Sequence, residues 1–154
     1  MPDSKSVEVL FTRDRSVSET IERLIQAVSV SFDAALYRFN SQRLARALDE
    51  ASRRGVRIRL VLDRGKYEES GATRELVAND RFTFRLSRGR DEADSKMHHK
   101  FALLDDETVL TGSYNWTRGS DEQNYENLLV LREAGIVKIY RREFEALWAD
   151  AEKV

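Results

Sequence analysis

Apolar residues recur with period two in some stretches and with helical spacing in others, and the two patterns alternate along the chain. Val7-Glu8-Val9-Leu10-Phe11 reads as a short strand. Ser16 with Glu19 three residues on forms a capping box, and the helix it opens places Ile21, Leu24, Ile25 and Val28 on one face. The apolar run 30–39 predicts a second strand. Asn40 or Ser41 caps the next helix, with Leu44, Ala47, Leu48 and Ala51 on its buried face, and Gly55 stands where a helix-ending glycine belongs. Val56, Ile58 and Leu60 alternate with Arg57 and Arg59, which predicts a strand with one wetter face. Residues 66–79 read as loop plus a weak helix around Leu76 and Val77, and Phe82, Phe84 and Leu86 as another strand.

The second half opens with a polar loop, 87–96, whose one apolar residue is Ala93. Residues 98–115 then read as strand, turn and strand, the turn being Asp105-Asp106-Glu107. An irregular segment, 116–126, leads to a last strand over 127–131. Ile136, Ile139, Tyr140, Phe144, Leu147 and Trp148 make the apolar stripe of a terminal helix. Strands alternating with helices imply an α/β fold, and the close strands around Asp105 imply a hairpin. The expected architecture is a mixed, largely parallel β-sheet flanked by helices, one domain over residues 1–154.

Composition narrows the class. The chain has 154 residues, 41% hydrophobic and 34% charged, the balance of a soluble globular domain with a sizeable core. It has no cysteine, which excludes disulfides, thiolate nucleophiles and zinc–cysteine sites. No apolar run approaches a membrane span, and the first residues lack the charged start and long apolar core of a signal peptide. The expected location is therefore the cytoplasm. The net charge of −1 hides an asymmetry, because residues 41–90 carry 13 Lys and Arg against 7 Asp and Glu. Such a segment either faces a polyanion or has arginine-rich outer surfaces with no such role. The whole chain lacks the strongly basic balance of a dedicated nucleic-acid binder.

Candidate chemistry gathers after residue 97. His98 and His99 are the chain's 2 histidines. Alternate side chains of a strand share a face, so His98 and Lys100 point one way and His99 the other. On the returning strand Ser113 and Asn115 share a face. Where the two faces coincide, an imidazole, an ammonium, a hydroxyl and an amide converge, a donor-rich set suited to a phosphate. A metal would need clustered carboxylates or histidines, and this face has none, so neither metal nor cofactor is expected. His99, pointing away, reads as an inward packing or hydrogen-bonding residue rather than a ligand.

The spacing His98-x-Lys100-x4-Asp105-x6-Gly112-Ser113-x-Asn115 resembles the HKD motif of the phospholipase D superfamily. Six positions at roughly 5% each occur together by chance on the order of 10⁻⁸ times per starting point. Glu126 stands where members of that family carry an acidic residue that hydrogen-bonds the catalytic imidazole. The resemblance covers essentially the whole chain. Its short, single-motif build is that of the nuclease-type branch, the bacterial endonuclease Nuc and the Zucchini/mitochondrial enzymes, rather than of the long two-motif phospholipases.

The resemblance implies a metal-independent phosphodiesterase working through a covalent phosphohistidine. One histidine attacks phosphorus while a second protonates the leaving oxygen. A chain with His98 and His99 on opposite faces does not supply that pair alone, so the resemblance implies a homodimer with His98 from each subunit at a two-fold axis. His98 is then nucleophile or general acid according to subunit. Lys100, Ser113 and Asn115 bind phosphate, and Glu126 orients the imidazole. Asp105 belongs to the motif but reads as holding the turn, and Gly112 as allowing close backbone approach.

The motif specifies the bond better than the substrate. The small build, the basic 41–90 segment, and Tyr114, Trp116 and Arg118 near the motif favour an endonuclease acting on DNA or RNA. Tyr114 and Trp116 either stack on bases or pack beneath the site, and Arg118 is a candidate backbone contact. Asp121 and Glu122 weigh against nonspecific binding. The alternatives are a cardiolipin-type phospholipid phosphodiesterase, for which no clear amphipathic lipid-facing surface is visible, and a non-catalytic dimeric nucleic-acid-binding module.

Overall fold

A computed structural model describes residues 6–91 and 94–154. The first residues, where a leader was judged absent, and the middle of the 87–96 loop lie outside the described residues. The elements run β1 (Val7–Phe11), α1 (Val17–Gln26), β2 (Ser31–Leu36), α2 (Gln42–Arg53), β3 (Arg57–Asp63), α3 (Arg64–Glu69) and α4 (Gly71–Val77). There follow β4 (Phe82–Ser87), β5 (Lys100–Leu104), β6 (Thr108–Gly112), α5 (Arg118–Glu122), β7 (Asn127–Leu131), α6 (Ala134–Asp150) and β8 (Glu152–Lys153). The strands form one sheet in the order β1-β7-β6-β5-β2-β3-β4-β8.

The mixed α/β sheet flanked by helices is as expected, with a narrower parallel part. Parallel pairing is confined to β2 with β3 and β3 with β4. The other neighbours are antiparallel. Crossovers through α2 and through α3–α4 return the chain in the same direction, whereas the turn after Leu104 folds β6 straight back on β5.

Two apolar layers enclose the sheet. Ile21 and Ile25 of α1 and Leu44 and Leu48 of α2 pack on Ala34, Leu60, Ala102, Leu104, Leu110 and Val130. Alternate residues, Ala35, Val61, Phe101, Leu103 and Val109, face Val137 and Phe144 of α6. Ser16 and Ser41 cap their helices, accepting from the N–H groups of Glu19 and Leu44. No helix among the described residues is long and apolar enough to cross a membrane.

β3 has its expected wetter face at Arg57, which is exposed, whereas α6 covers Arg59. There the Asp33 carboxylate is fully buried and accepts from Arg57 (3.2 Å), Arg59 (2.7 Å) and Arg141 of α6 (2.8 Å). Glu145 extends the cluster to Arg59 and Arg141. Burial works to raise the Asp33 pKa, but the Arg59 and Arg141 hydrogen bonds outweigh it and hold the carboxyl below its ordinary value. Eight of the cations in 41–90 are likewise paired with carboxylates: Arg43, Arg53, Arg57, Arg59, Arg64, Lys66, Arg81 and Arg88. The charge asymmetry is therefore largely neutralised within the fold, which removes the segment as a continuous polyanion-binding face.

Three short elements differ from the sequence expectation. The 66–79 stretch forms two helices, because Asp63 caps α3 by accepting from Lys66 N–H (3.0 Å) and Ser70 caps α4 by accepting from Thr73 N–H (3.1 Å). The segment after Asn115 contains α5, capped by Thr117. The chain end adds β8 beside β4.

Candidate active site

The HKD residues meet where β5 begins and β6 ends. Both histidines precede β5, which starts at Lys100. Asp63, buried at the end of β3, accepts from Met97 N–H (2.9 Å) while capping α3. The Met97 side chain enters the α6-side core, and His98 comes out exposed. Tyr37 N–H donates to the His99 carbonyl (2.9 Å), which ties this segment to the end of β2.

The Lys100 ammonium donates to the His98 carbonyl (2.8 Å) and lies 3.2 Å from His98 Nδ1. An ammonium has no lone pair, so Nδ1 accepts and this tautomer carries its proton on Nε2. Desolvation, then the charges of Lys100 and Lys96, hold the imidazole pKa below its ordinary value. Desolvation also lowers the Lys100 pKa, with the Glu126 carboxylate opposing. The Tyr37 ring backs the imidazole, their centroids 4.4 Å apart.

Ser113 and Asn115 lie just past β6 rather than in it. Ser113 Oγ donates to Glu126 Oε1 (2.6 Å) and accepts from Asn127 N–H (3.1 Å). Glu126 Oε2 accepts from Asn124 Nδ2 (3.1 Å), so within one chain this carboxylate serves Ser113 and Asn124 rather than His98. Asn115 Oδ1 is the one buried side-chain polar atom among the described residues that has no hydrogen-bond partner. A buried acceptor without a donor is costly, and a hydroxyl or water at the site would relieve it.

Two expected site residues, Asp105 and Arg118, lie elsewhere. Asp105 stands at the far end of β5, where it accepts from the N–H groups of Ser29 (3.0 Å), Val30 (2.7 Å) and Ser31 (3.0 Å). Burial would raise its pKa, and these donors lower it overall. It anchors strand geometry at the end of β5 opposite His98. Arg118 pairs with Glu122 (3.0 Å) and lines a cleft with Asn40, Arg43 and Asp121. His99 points to the α6 side, but it is exposed rather than inward, with Nε2 3.0 Å from Glu143. Tyr114 and Trp116 are buried, which makes them packing residues. Asp121 is structural too: it accepts from Ser18 N–H (2.8 Å) and Ser16 Oγ (3.0 Å) at the start of α1.

A Cβ at Gly112 would overlap the Asn127 carbonyl oxygen of the adjacent strand. Gly112→Ala is therefore expected to cost about 1–3 kcal/mol by urea unfolding and to lower activity by shifting Ser113. A loss below about 0.5 kcal/mol would show that the strands separate freely there.

The cluster gathers an imidazole, an ammonium, a hydroxyl and a carboxylate at one end of the β5–β6 hairpin. A sequence profile of the family described as "Cardiolipin synthase, PLD-like domain" matches residues 21–148. The mitochondrial cardiolipin hydrolase of Xenopus laevis is 36% identical over 137 residues, covering 89% of this chain and 63% of that protein. The human protein of the same name is 34% identical, covering 82% of this chain and 48% of that protein. The chain thus spans less than two thirds of the length of these curated relatives. Nuc from Salmonella typhimurium, a phospholipase D family member, superposes with a TM-score of 0.86 at 24% identity, covering 97% of both chains. NucT from Helicobacter pylori gives 0.86 at 20% identity. The chain belongs to the phospholipase D-like superfamily.

Sequence reasoning missed Tyr37 and Asp63. Each reaches the site from a distant part of the chain, and neither carries a local motif.

Proposed function

We propose that residues 1–154 form one HKD phosphodiesterase domain that acts as a homodimeric endonuclease on DNA or RNA, without a metal. The observation that carries this is the His98–Lys100 pair at 3.2 Å, set at the strand end that also presents Ser113 and Glu126. His98 first releases Nδ1 from Lys100 and takes the tautomer with its proton there; Nε2 then attacks phosphorus, and the bond from phosphorus to the leaving oxygen breaks. The partner subunit's His98, protonated, gives that oxygen its proton. The same imidazole then deprotonates water, which displaces His98 from phosphorus and frees the product. Lys100 and Asn115 stabilise the non-bridging oxygens as charge builds. Ser113 also binds there, exchanging its bond to Glu126 for one to phosphate.

Attack through Nε2 requires the proton on Nδ1 and an acceptor for it. Lys100 cannot accept, and Glu126 of the same chain is engaged by Ser113 and Asn124. We therefore assign the orienting carboxylate to Glu126 reaching across the dimer. The surface for a second copy lies beside it. Val7, Val9 and Phe11 are 47%, 55% and 50% exposed on the β1 edge, and Phe11 shares a cleft with Tyr125 and Glu126. An apolar stripe on an edge strand invites a partner. Arg118 contacts a bound strand away from the scissile phosphate.

The names of the relatives support a second substrate reading, a cardiolipin-type phosphodiester. They are also named mitochondrial, whereas the proposal keeps the cytoplasmic location. The third reading is a binding module without turnover. Incubation in EDTA with single-stranded DNA, duplex DNA, RNA, cardiolipin liposomes and bis(p-nitrophenyl) phosphate separates them. Nucleic-acid cleavage is expected, and it survives chelation because in this mechanism imidazoles supply both the nucleophile and the proton donor. Activity lost in EDTA and restored by zinc or magnesium would overturn the assignment.

The kcat/KM profile should be bell-shaped, the two imidazoles titrating as a coupled pair, with its acid limb below the ordinary histidine value of about 6.5. The sign follows from His98: its pKa is lowered, so the attacking neutral form persists to lower pH. A flat profile between about pH 5 and 8 would contradict two-histidine catalysis.

A further inference from the structure

The Tyr37 ring is shared by more than His98. It is 8% exposed, and three cationic groups surround it. Lys100 Nζ lies 5.4 Å from its centroid, Lys66 Nζ 5.6 Å and the Arg38 guanidinium carbon 5.7 Å. Lys100 belongs to the scissile phosphate. Lys66 and Arg38 do not, and they stand on the wall of a neighbouring cleft of about 380 Å³ that also includes Asn40, Ser70 and Thr73.

The two cations are held differently. Arg38 is exposed, and among the described residues its guanidinium's one partner is the Tyr37 ring, whereas most arginines between residues 41 and 90 are held by carboxylates or carbonyls. Lys66 is held by Glu69 (3.0 Å), whose side chain is 68% exposed and free to swing away. An arginine left without a carboxylate beside a phosphate site is a ready partner for a second anion. A ring with cations at its face and edge keeps them spaced without neutralising them.

We infer that Arg38 and Lys66 bind the backbone phosphate next to the scissile one in a nucleic-acid strand, with Tyr37 setting the separation between the two phosphate positions. Lys100, Lys66 and Arg38 all lie within 5.7 Å of one ring centroid, so the two positions are at most about 11 Å apart, the sum of two such distances, within reach of neighbouring phosphates on one strand. Glu69 occupies Lys66 until that phosphate displaces it. This inference rests on the nuclease reading of the same site and adds what makes the site favour a chain of phosphodiesters over an isolated one.

The test compares a single-stranded oligonucleotide with bis(p-nitrophenyl) phosphate, which has one phosphate only. Arg38→Gln, with Lys66→Gln and the double variant, should raise KM on the oligonucleotide about tenfold per contact, while kcat changes little. The ratio of kcat/KM for oligonucleotide over small diester should fall by the same factor. The salt dependence of the oligonucleotide KM should become shallower by roughly 0.7 in log–log slope per lost contact. Arg38→Lys, which keeps the charge, should recover most of the loss. Glu69→Gln, which frees Lys66, should move KM the other way. An unchanged oligonucleotide KM and salt slope in the double variant, or equal losses on both substrates, would overturn the inference and leave the nuclease reading standing. Wild-type protein that turns over the small diester and leaves the oligonucleotide intact would overturn both.

Discussion

Replacing His98 with alanine removes turnover on every phosphodiester the wild-type protein cleaves, by at least about 10⁴-fold in kcat. On the proposed mechanism the loss exceeds that for any other single residue, because the same side chain would be nucleophile in one subunit and acid in the other. Both halves of the reaction fail together. Stability is unaffected, since the imidazole is exposed and its neighbours are the Tyr37 ring and the Lys100 ammonium. Thermal unfolding of His98→Ala should match wild type within about 0.5 kcal/mol. Lys100→Ala and Asn115→Ala lose less, because each removes charge stabilisation rather than the atom that bonds phosphorus. Residual activity of His98→Ala within a hundredfold of wild type would show that another group attacks.

Asp33→Ala is expected to be strongly destabilising, about 3 kcal/mol in denaturant unfolding, or roughly 6–12 °C in Tm for a chain this size. Removing this fully buried carboxylate strips Arg59 and Arg141 of their shared buried acceptor. The cost stays at the low end for a broken buried pair because Glu145 and Asp106 remain as partners. The exposed pair Arg118–Glu122 provides the contrast, and Arg118→Ala should cost under about 1 kcal/mol. The pH dependence has a definite sign. The folded Asp33 pKa is depressed, so its stabilisation is present above the unfolded carboxylate value of about 3.9 and is lost as pH falls through the folded value. Asp33→Ala should therefore narrow the stability gap to wild type only in strong acid. A cost below about 1 kcal/mol at neutral pH would mean that α6 is held by its apolar face alone.

The contrast between these residues shows what a sequence reveals about a site and what it does not. His98, Lys100, Ser113 and Asn115 are close in sequence, and two adjacent strand ends suffice to bring them together. Glu126 was found from the family pattern, and it does lie beside Ser113. Asp105 belongs to the same motif yet serves the opposite end of β5, because a motif records residue spacing and not which strand end each residue occupies. Tyr37, Asp63 and Asp33 had no such record. Their partners stand far away in the chain, and nothing in LDRG or SFDAAL marks a buried aspartate. Arg57 is exposed as the alternation predicts, but Arg59 is covered, because alternation alone cannot tell water from a covering helix with its own acids. The helices α3 and α5 were missed for a related reason: each is short and depends on one capping side chain, Asp63 or Thr117.

The central claim is that one active site is assembled from two copies of His98. A mixed dimer carrying one wild-type subunit and one His98→Ala subunit, isolated by two different affinity tags, tests it most directly. Each such dimer has a nucleophile without an acid or an acid without a nucleophile. Its steady-state turnover should be under about 1% of wild type, since the two residues act as a unit. Two independent sites would instead leave about half the wild-type rate, one site per intact subunit, and that result would contradict the composite site.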